Sequence, residues 1–224
     1  MSDTYGVDWL RSQRFLVIDT ETTGPDPETA RIVQLACVAV THGELDDRWV
    51  THINPGCAIP RESTTVHGIT DDDVLNAPVF ADIAGELLGR ARGRYLCGYN
   101  AEHYDVPIIR RQLQEVGLEP TGLVACLDPL VWCREIDRFV TGSGRHRLAV
   151  ACARHGIPHP NAHDALADAE AAWALMLSLA EARPHRFPPT IGAALAEQAR
   201  LGAQQEREFH EWLARQPKRE AVGT

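Results

Sequence analysis

A four-residue apolar run, residues 15–18, passes directly into two acidic residues, Asp19 and Glu21. A continuous apolar run of this length predicts a β-strand that is buried on both faces. Because side chains alternate along a strand, Asp19 and Glu21 are expected on the same face. Two carboxylates at the edge of a core repel each other unless a proton or a cation lies between them. Taken alone, this pair is still more typical of an exposed strand end.

The rest of the sequence predicts three strands in succession and then strands that alternate with helices. The expected strands cover residues 15–18, 32–40, 49–53, 95–98 and 123–127; the expected helices begin at a cap on Thr70 and cover residues 78–92, 106–116, 129–139, 148–155, 164–182 and 191–216. Short links among the first three strands indicate an antiparallel meander. The predicted fold class is α/β, with a mixed five-stranded sheet flanked by helices. We expect one domain over residues 1–183 and a C-terminal helical extension over residues 184–224.

Composition limits the classes of protein that fit. The 224-residue chain has a net charge of −9, which counts mildly against a general electrostatic grip on nucleic acid. Its six cysteines include no CxxC pair, so reduced, buried thiols are expected. The sequence shows no bilayer-spanning run and no secretion signal at its start. A cytoplasmic location without membrane contact is therefore expected.

Two later segments add acidic residues at positions that matter for chemistry. Asp105 follows the predicted strand at residues 95–98, and taken alone it is more typical of a helix N-cap. Open α/β sheets bind ligands beyond the carboxyl ends of their strands, where both Asp19 and Asp105 would lie. The third segment contains His163 and Asp168. If His163 lies in a loop before the helix, its imidazole can fold back beside Asp168.

Together these segments resemble the three motifs of the DnaQ-like DEDDh family of 3′→5′ exonucleases. The matching stretches are VIDTETTG, YNAEHYD and HDALAD, and VHGIT lies between the first two. The family includes the proofreading epsilon subunit of bacterial DNA polymerase III and RNase T. The resemblance covers roughly the first 180 residues. It implies a ribonuclease H-like fold with three antiparallel strands followed by parallel strands.

The resemblance implies a two-metal hydrolase for the 3′ end of DNA or RNA. Asp19 matches the aspartate that bridges both ions, and Glu21 and Asp168 match ligands of the ion that activates water. Asp105 matches a ligand of the other ion, and His163 matches the general base. Mg²⁺ or Mn²⁺ suits such oxygen ligands. The implied reaction releases 5′-mononucleotides without a covalent enzyme intermediate.

The resemblance also implies contacts with the substrate and with partners. Thr22, Thr23 and Gly24 match the turn that contacts the terminal nucleotide, and His67 and Asn100 match positions near the strand end. The nucleic acid is expected to be single-stranded, and a DNA polymerase subunit or a second copy of the chain could be a partner. Two departures from the family pattern are Tyr99, where many members have His, and Tyr104, where Phe is common.

Two alternatives stay open at this point. The pair His163–Asp164 could belong to an HD-type metal phosphohydrolase that recruits His155 and His159, but that class is wholly helical. The chain could also be a non-catalytic nucleic-acid-binding or polymerase-associated subunit. All five core positions hold chemically competent residues, which disfavours the second alternative.

Overall fold

The computed structural model describes residues 8–123, 125–161 and 163–215. The strands are β1 Phe15–Thr22, β2 Ile32–Thr41, β3 Glu44–His52, β4 Tyr95–Cys97 and β5 Cys126–Leu127. The helices are α1 Asp8–Ser12, α2 Arg61–His67, α3 Asp71–Val74, α4 Phe80–Ala91, α5 Asp105–Glu115, α6 Pro129–Ile136, α7 Leu148–Arg154, α8 Ala165–Ala182 and α9 Ile191–Arg215, and Pro184–Arg186 forms a 3₁₀ turn.

The five strands form a mixed sheet in the order β3-β2-β1-β4-β5. The first three strands are antiparallel neighbours, whereas β4 runs parallel to β1 and β5 runs parallel to β4. This topology confirms the predicted fold class. It also places β1 at the centre of the sheet, as its apolar run predicts.

Side chains of β1 alternate between two cores on opposite faces of the sheet. Phe15 and Val17 pack in one core, together with residues of α6, α7 and α8. Leu16 and Ile18 pack in the other core, with residues of α4 and α5. By the same alternation, Asp19 and Glu21 follow the side that α8 covers. Thr20 follows the side that α5 covers.

Several element bounds differ from the sequence predictions. β1 extends beyond the predicted run, to Thr22. β3 begins at Glu44, before the predicted start at residue 49. The early part was missed because β3 is an edge strand with mostly exposed polar side chains. β5 contains only Cys126–Leu127, since Asp128 caps α6 and turns the chain; Val124 lies outside the described residues. The unpredicted helix α2 buries no side chain, so it has no apolar stripe to detect.

The C-terminal helix α9 packs against β5 and α6. Its buried side chains are Ala194, Gln198 and Leu201, and two of them belong to the core on the α8 side. Phe209 and Trp212, nearer its end, are exposed. The predicted division between residues 183 and 184 stays a prediction, and Gln216 lies outside the described residues.

Two expectations from composition can be compared with the structure. Five of the six free cysteines are buried, but Cys57 is exposed, so the expectation of buried thiols is wrong at that position. None of the helices in the described ranges is both long and apolar enough to cross a membrane. The cytoplasmic location stays a prediction.

Candidate active site

Four carboxylates meet at the carboxyl end of β1. Burial raises the pKa of Asp19 well above its usual value, and the negative charges of Asp105, Asp168 and Glu21 raise it further. Burial, followed by the charges of Asp168 and Asp105, raises the pKa of Glu21 to about 8. Ligand atoms of Glu21 and Asp168 lie within 4.8 Å of each other, and Asp105 is hydrogen-bonded to Thr20, the residue between Asp19 and Glu21. Three distant stretches of sequence therefore converge on one acidic cluster, defined here as Asp19, Glu21, Asp105 and Asp168.

Asp105 reaches the cluster from the first residue of α5. Its side chain is 4% exposed, and the Thr20 hydroxyl donates a 2.5 Å hydrogen bond to its Oδ1. The N-cap position of α5 belongs to Tyr104, so the alternative interpretation of Asp105 as a helix cap is wrong. Burial raises the pKa of Asp105 to about 6, although the bond from Thr20 opposes the rise.

Gly98 allows the chain after β4 to come this close to β1. A Cβ atom at this position would lie 2.6 Å from the Ile18 carbonyl oxygen and 2.7 Å from Ala101 Cβ. Any larger residue would push the two segments apart. The glycine therefore sets the position of the turn that leads to Asp105.

His163 and Asp168 reach the cluster from the start of α8. Asp164 caps this helix by accepting a 2.9 Å hydrogen bond from the Ala167 backbone N–H. His163, directly before the cap, has the left-handed backbone conformation with φ of 69°. A donor atom of its ring and carboxylate oxygens of Glu21 and Asp168 all lie within 4.8 Å of one another. The imidazole therefore does fold back beside Asp168.

A second imidazole, that of His159, contacts Asp168. His159 Nε2 lies 2.5 Å from Asp168 Oδ1, and the His159 side chain is 4% exposed. Burial raises the pKa of Asp168, and the hydrogen bond from His159 lowers it. Sequence reasoning named His159 only as a ligand for the HD-type alternative. No helical or strand period links His159 to Asp168, so the sequence contains no simple signal for this contact.

The acidic cluster fits a divalent cation. In residues 8–123, 125–161 and 163–215, no Lys or Arg forms an ion pair with any of its four carboxylates. The side chains that approach the cluster are instead the Thr20 hydroxyl at Asp105 and the imidazoles of His159 and His163 at Asp168. Carboxylate oxygens are the ligands preferred by Mg²⁺ and Mn²⁺. The raised pKa values are the ones expected of a site whose counter-charge is a metal ion.

A cleft of about 350 Å³ opens beside Glu21. Three of the predicted substrate contacts, Thr22, Gly24 and His67, line it. The other lining residues come from β1, the turn after it, α2 and the start of α5: Thr20, Glu21, Pro25, Glu62, Ser63, Val66 and Tyr104. His67 of α2 was expected here from the resemblance, whereas Glu62, Ser63 and Val66 of the same helix were not named as contacts.

Hydrogen bonds fix the wall of the cleft. The Thr22 hydroxyl contacts the Tyr104 hydroxyl, which also donates a 2.5 Å hydrogen bond to the Gly24 carbonyl. His67 Nδ1 accepts a bond from the Ile69 backbone N–H, so its Nε2–H faces the Thr22 carbonyl at 3.3 Å. Burial lowers the pKa of His67. The imidazole is thereby kept neutral and in one orientation.

Two predicted substrate contacts do not line the cleft. The Thr23 hydroxyl accepts a 2.9 Å hydrogen bond from the Arg31 backbone N–H and so closes the turn after β1. Asn100 is exposed and has a left-handed backbone with φ of 63°. Substrate contact by either residue stays a prediction.

The turn at Asn100 is held by Asp128, a buried residue that sequence reasoning missed. Its carboxylate accepts backbone hydrogen bonds from Asn100, Glu102 and Leu130 at 2.9, 3.4 and 2.9 Å. Burial raises the pKa of Asp128 to about 7, and these bonds oppose the rise. The signal was present as an Asp–Pro pair at a predicted helix start, a common N-cap pattern.

The structure excludes the HD-type metal phosphohydrolase alternative. That class is wholly helical, whereas this chain has a central five-stranded sheet. His155, one of the proposed ligands, instead lies 3.1 Å from Asp137 and contacts Ser178.

Comparison with known proteins gives consistent matches. The family model described as Exonuclease matches residues 16–176. The chain is 34% identical over 194 residues to a DNA polymerase III subunit epsilon-like protein of Rhodobacter capsulatus, covering 84% of this chain and 27% of that protein. It is 30% identical over 186 residues to 3′-5′ exonuclease DinG of Bacillus subtilis, covering 81% of this chain and 19% of that protein. The chain thus spans about a fifth to a quarter of these relatives.

A solved structure shares the fold. E. coli exonuclease I in complex with a dT13 oligonucleotide superposes with a TM-score of 0.69 at 21% identity, over 78% of this chain and 42% of that one. The ribonuclease H-like fold expected from the sequence is thereby confirmed.

Proposed function

The chain belongs to the exonuclease family, and from this premise we propose that it hydrolyses phosphodiester bonds at the 3′ end of DNA or RNA and releases 5′-mononucleotides. The observation that supports this most strongly is the convergence of the acidic cluster and His163 at the end of β1. The cleft beside Glu21 has room for the terminal nucleoside at the same place.

In this proposal the acidic cluster holds two Mg²⁺ or Mn²⁺ ions. The carboxylates of Asp19, Glu21, Asp105 and Asp168 would together supply the oxygen ligands for these ions. Bound there, the ions would acidify the attacking water and stabilise the departing alkoxide. Asp105 is oriented for its role by Thr20, and Asp168 by His159.

His163 is the proposed acceptor of the proton from the attacking water. Its ring reaches both Glu21 and Asp168, yet the residue is exposed. An exposed imidazole can pass the proton on to solvent after each cycle. Histidine is also the side chain that exchanges protons most readily near neutral pH.

The cleft residues are the proposed contacts for the strand end. Val66 is 55% exposed although it is apolar, so it offers a surface for a base or sugar. The neutral His67 imidazole and the hydrogen-bonded hydroxyls of Thr22 and Tyr104 provide polar groups in the same cleft as Val66. Because the relatives include an epsilon-like polymerase subunit, DNA is the first substrate to test.

The proposal is tested with matched DNA and RNA strands, single-stranded and duplex, blocked at either the 3′ or the 5′ end. We expect Mg²⁺- or Mn²⁺-dependent release of 5′-mononucleotides that a 3′ block prevents and a 5′ block does not. Chelation with EDTA should stop the reaction. Binding of strands without hydrolysis under either ion would instead support a non-catalytic subunit.

A further inference from the structure

A positively charged loop lies between α6 and α7, outside the acidic cluster. This basic loop is defined here as residues 134–147, so that it includes the last turn of α6. It presents four exposed arginines: Arg134 in that turn, and Arg138, Arg145 and Arg147 after it. Its two carboxylates are neutralised from elsewhere, because Glu135 pairs with Arg186 at 3.2 Å and Asp137 with Arg154 at 2.7 Å. Within the described ranges the four arginines form no ion pair. On a chain with a net charge of −9, such a local excess of positive charge suits an anionic partner.

The basic loop is fixed to the turn that leads to the active site. The Tyr99 hydroxyl donates a 2.5 Å hydrogen bond to the His146 carbonyl. Tyr99 directly precedes Asn100, and the same turn continues to Asp105. His146 Nε2 lies 3.0 Å from the Val140 carbonyl oxygen, and this contact joins two parts of the basic loop.

An aromatic side chain stands at the tip of the basic loop. Phe139 is 86% exposed, and the guanidinium of Arg138 lies 5.0 Å from its ring centroid. An exposed ring beside free cations is the combination that binds an unpaired strand, since bases stack on the ring and phosphates meet the arginines. An acidic protein surface would use the arginines but would not need the ring.

We propose that the basic loop binds the single-stranded part of the substrate that lies 5′ of the nucleotide in the cleft. This inference rests on the proposed exonuclease function. It explains how an acidic protein holds a polyanion, because the loop offers several exposed arginines and a ring at one place. It also assigns a role to Tyr99, which fixes the loop beside the active site.

The test compares a dinucleotide with an oligonucleotide of about 15 residues, since only the longer strand can reach from the cleft to the loop. The variants are Phe139→Ala and the triple variant Arg138→Ala, Arg145→Ala, Arg147→Ala. The controls are Phe209→Ala and Arg92→Ala, which remove an exposed ring on α9 and an exposed cation after α4. DNA and RNA strands are run in parallel.

For each loop variant we expect KM for the oligonucleotide to rise about tenfold, with kcat and dinucleotide cleavage little changed. The triple variant should also lower the slope of log KM against log salt by about 2, because each phosphate contact in a single strand contributes about 0.7. Equal losses on both substrates, or no loss on the oligonucleotide, would overturn the inference and leave the exonuclease proposal intact.

Fluorescence anisotropy of labelled strands in EDTA separates the two proposals. If the wild type hydrolyses nothing with Mg²⁺ or Mn²⁺, yet binds strands in EDTA and loses that binding in the loop variants, the exonuclease proposal fails and the loop assignment holds. If the wild type does not bind strands, the loop assignment is wrong.

Discussion

The imidazole Nε2 of His159 lies 2.5 Å from Oδ1 of Asp168, in a position where the His159 side chain is 4% exposed. Its other nitrogen has no hydrogen-bond partner in the described part of the chain. The contact fixes the orientation of a carboxylate that also faces Glu21 and His163. Groups that orient metal ligands in this way typically matter nearly as much as the ligands themselves.

Replacing His159 by Ala should therefore weaken metal use. We expect the Mg²⁺ concentration that gives half-maximal rate to rise, or the rate to fall, by about 10- to 100-fold. The measurement is hydrolysis as a function of Mg²⁺ concentration. His155→Ala is the matched control, because it removes an imidazole from Asp137 outside the site. Similar metal dependence in His159→Ala and His155→Ala would contradict the role of His159.

Replacing His163 by Ala should slow the chemical step. We expect a loss of about 10²- to 10⁴-fold in kcat, because a general base is removed, with Mn²⁺ binding retained. Single-turnover hydrolysis and calorimetric Mn²⁺ titration give the two quantities. A near-normal rate would exclude His163 as the proton acceptor. A lost metal site would show that it acts as a ligand instead.

The raised pKa values in the acidic cluster predict how the stability of the metal-free protein depends on pH. Glu21 and Asp105 have folded-state pKa values of about 8 and about 6, above their usual values of 4.5 and 3.8. Their contribution to stability is complete below the usual values and declines from there until pH passes about 6 for Asp105 and about 8 for Glu21, because over that interval the folded state keeps protons that the unfolded state has already released. In EDTA, Tm should therefore fall across this range.

Two controls identify the cluster as the source of that fall. Saturating Mg²⁺ should reduce it, because bound metal replaces the protons. The variant Glu21→Gln should show a shallower fall in EDTA than the wild type. Equal slopes in the two proteins would show that the pH dependence arises elsewhere.

Gln198 of α9 links the C-terminal helix to the active-site turn. Its Oε1 accepts hydrogen bonds from the Asp128 backbone N–H at 2.8 Å and from Trp132 Nε1 at 3.2 Å. Its Nε2 donates to the Cys126 carbonyl at 2.8 Å and to Glu102 at 2.7 Å. Because these groups are largely buried, Gln198→Leu would leave several of them unpaired.

We expect Gln198→Leu to lower the free energy of unfolding by at least about 2 kcal/mol, measured by urea denaturation. Gln204→Leu is the control on the same helix, since within the described ranges its amide contacts the exposed Glu208 side chain and Arg200. A loss in Gln198→Leu no greater than in the control would mean that α9 is not tied to the turn in this way.

The sequence predicted much of the site because its parts have local signals. The apolar run before Asp19 indicated a central strand, and the strand period put Glu21 on the same side. His159 and Gln198 could not be found in that way. His159 contacts Asp168 across an irregular loop. Gln198 is polar, so the pattern of apolar residues along α9 does not mark it as buried. Contacts between distant segments of this kind have no period in the sequence.

The secondary-structure predictions divide in the same way, because buried elements were predicted and exposed ones were missed. The central strand and the long helix α8 were predicted because burial on one or both faces leaves a clear apolar pattern. The start of the edge strand β3 and all of α2 were missed, since most of their residues are exposed. Of the cleft wall that α2 provides, His67 was expected from the resemblance, and the other lining residues of the helix were missed.

The most direct test of the account is the hydrolysis rate of Asp19→Asn on a 3′-accessible single strand in saturating Mg²⁺. This substitution keeps the shape of the side chain and removes one of the charges that crowd the cluster. We expect mononucleotide release to fall below detection, while the circular dichroism spectrum is unchanged and Tm in EDTA is equal or higher. Retention of wild-type hydrolysis by the folded variant would contradict the assignment of this cluster as the catalytic metal site.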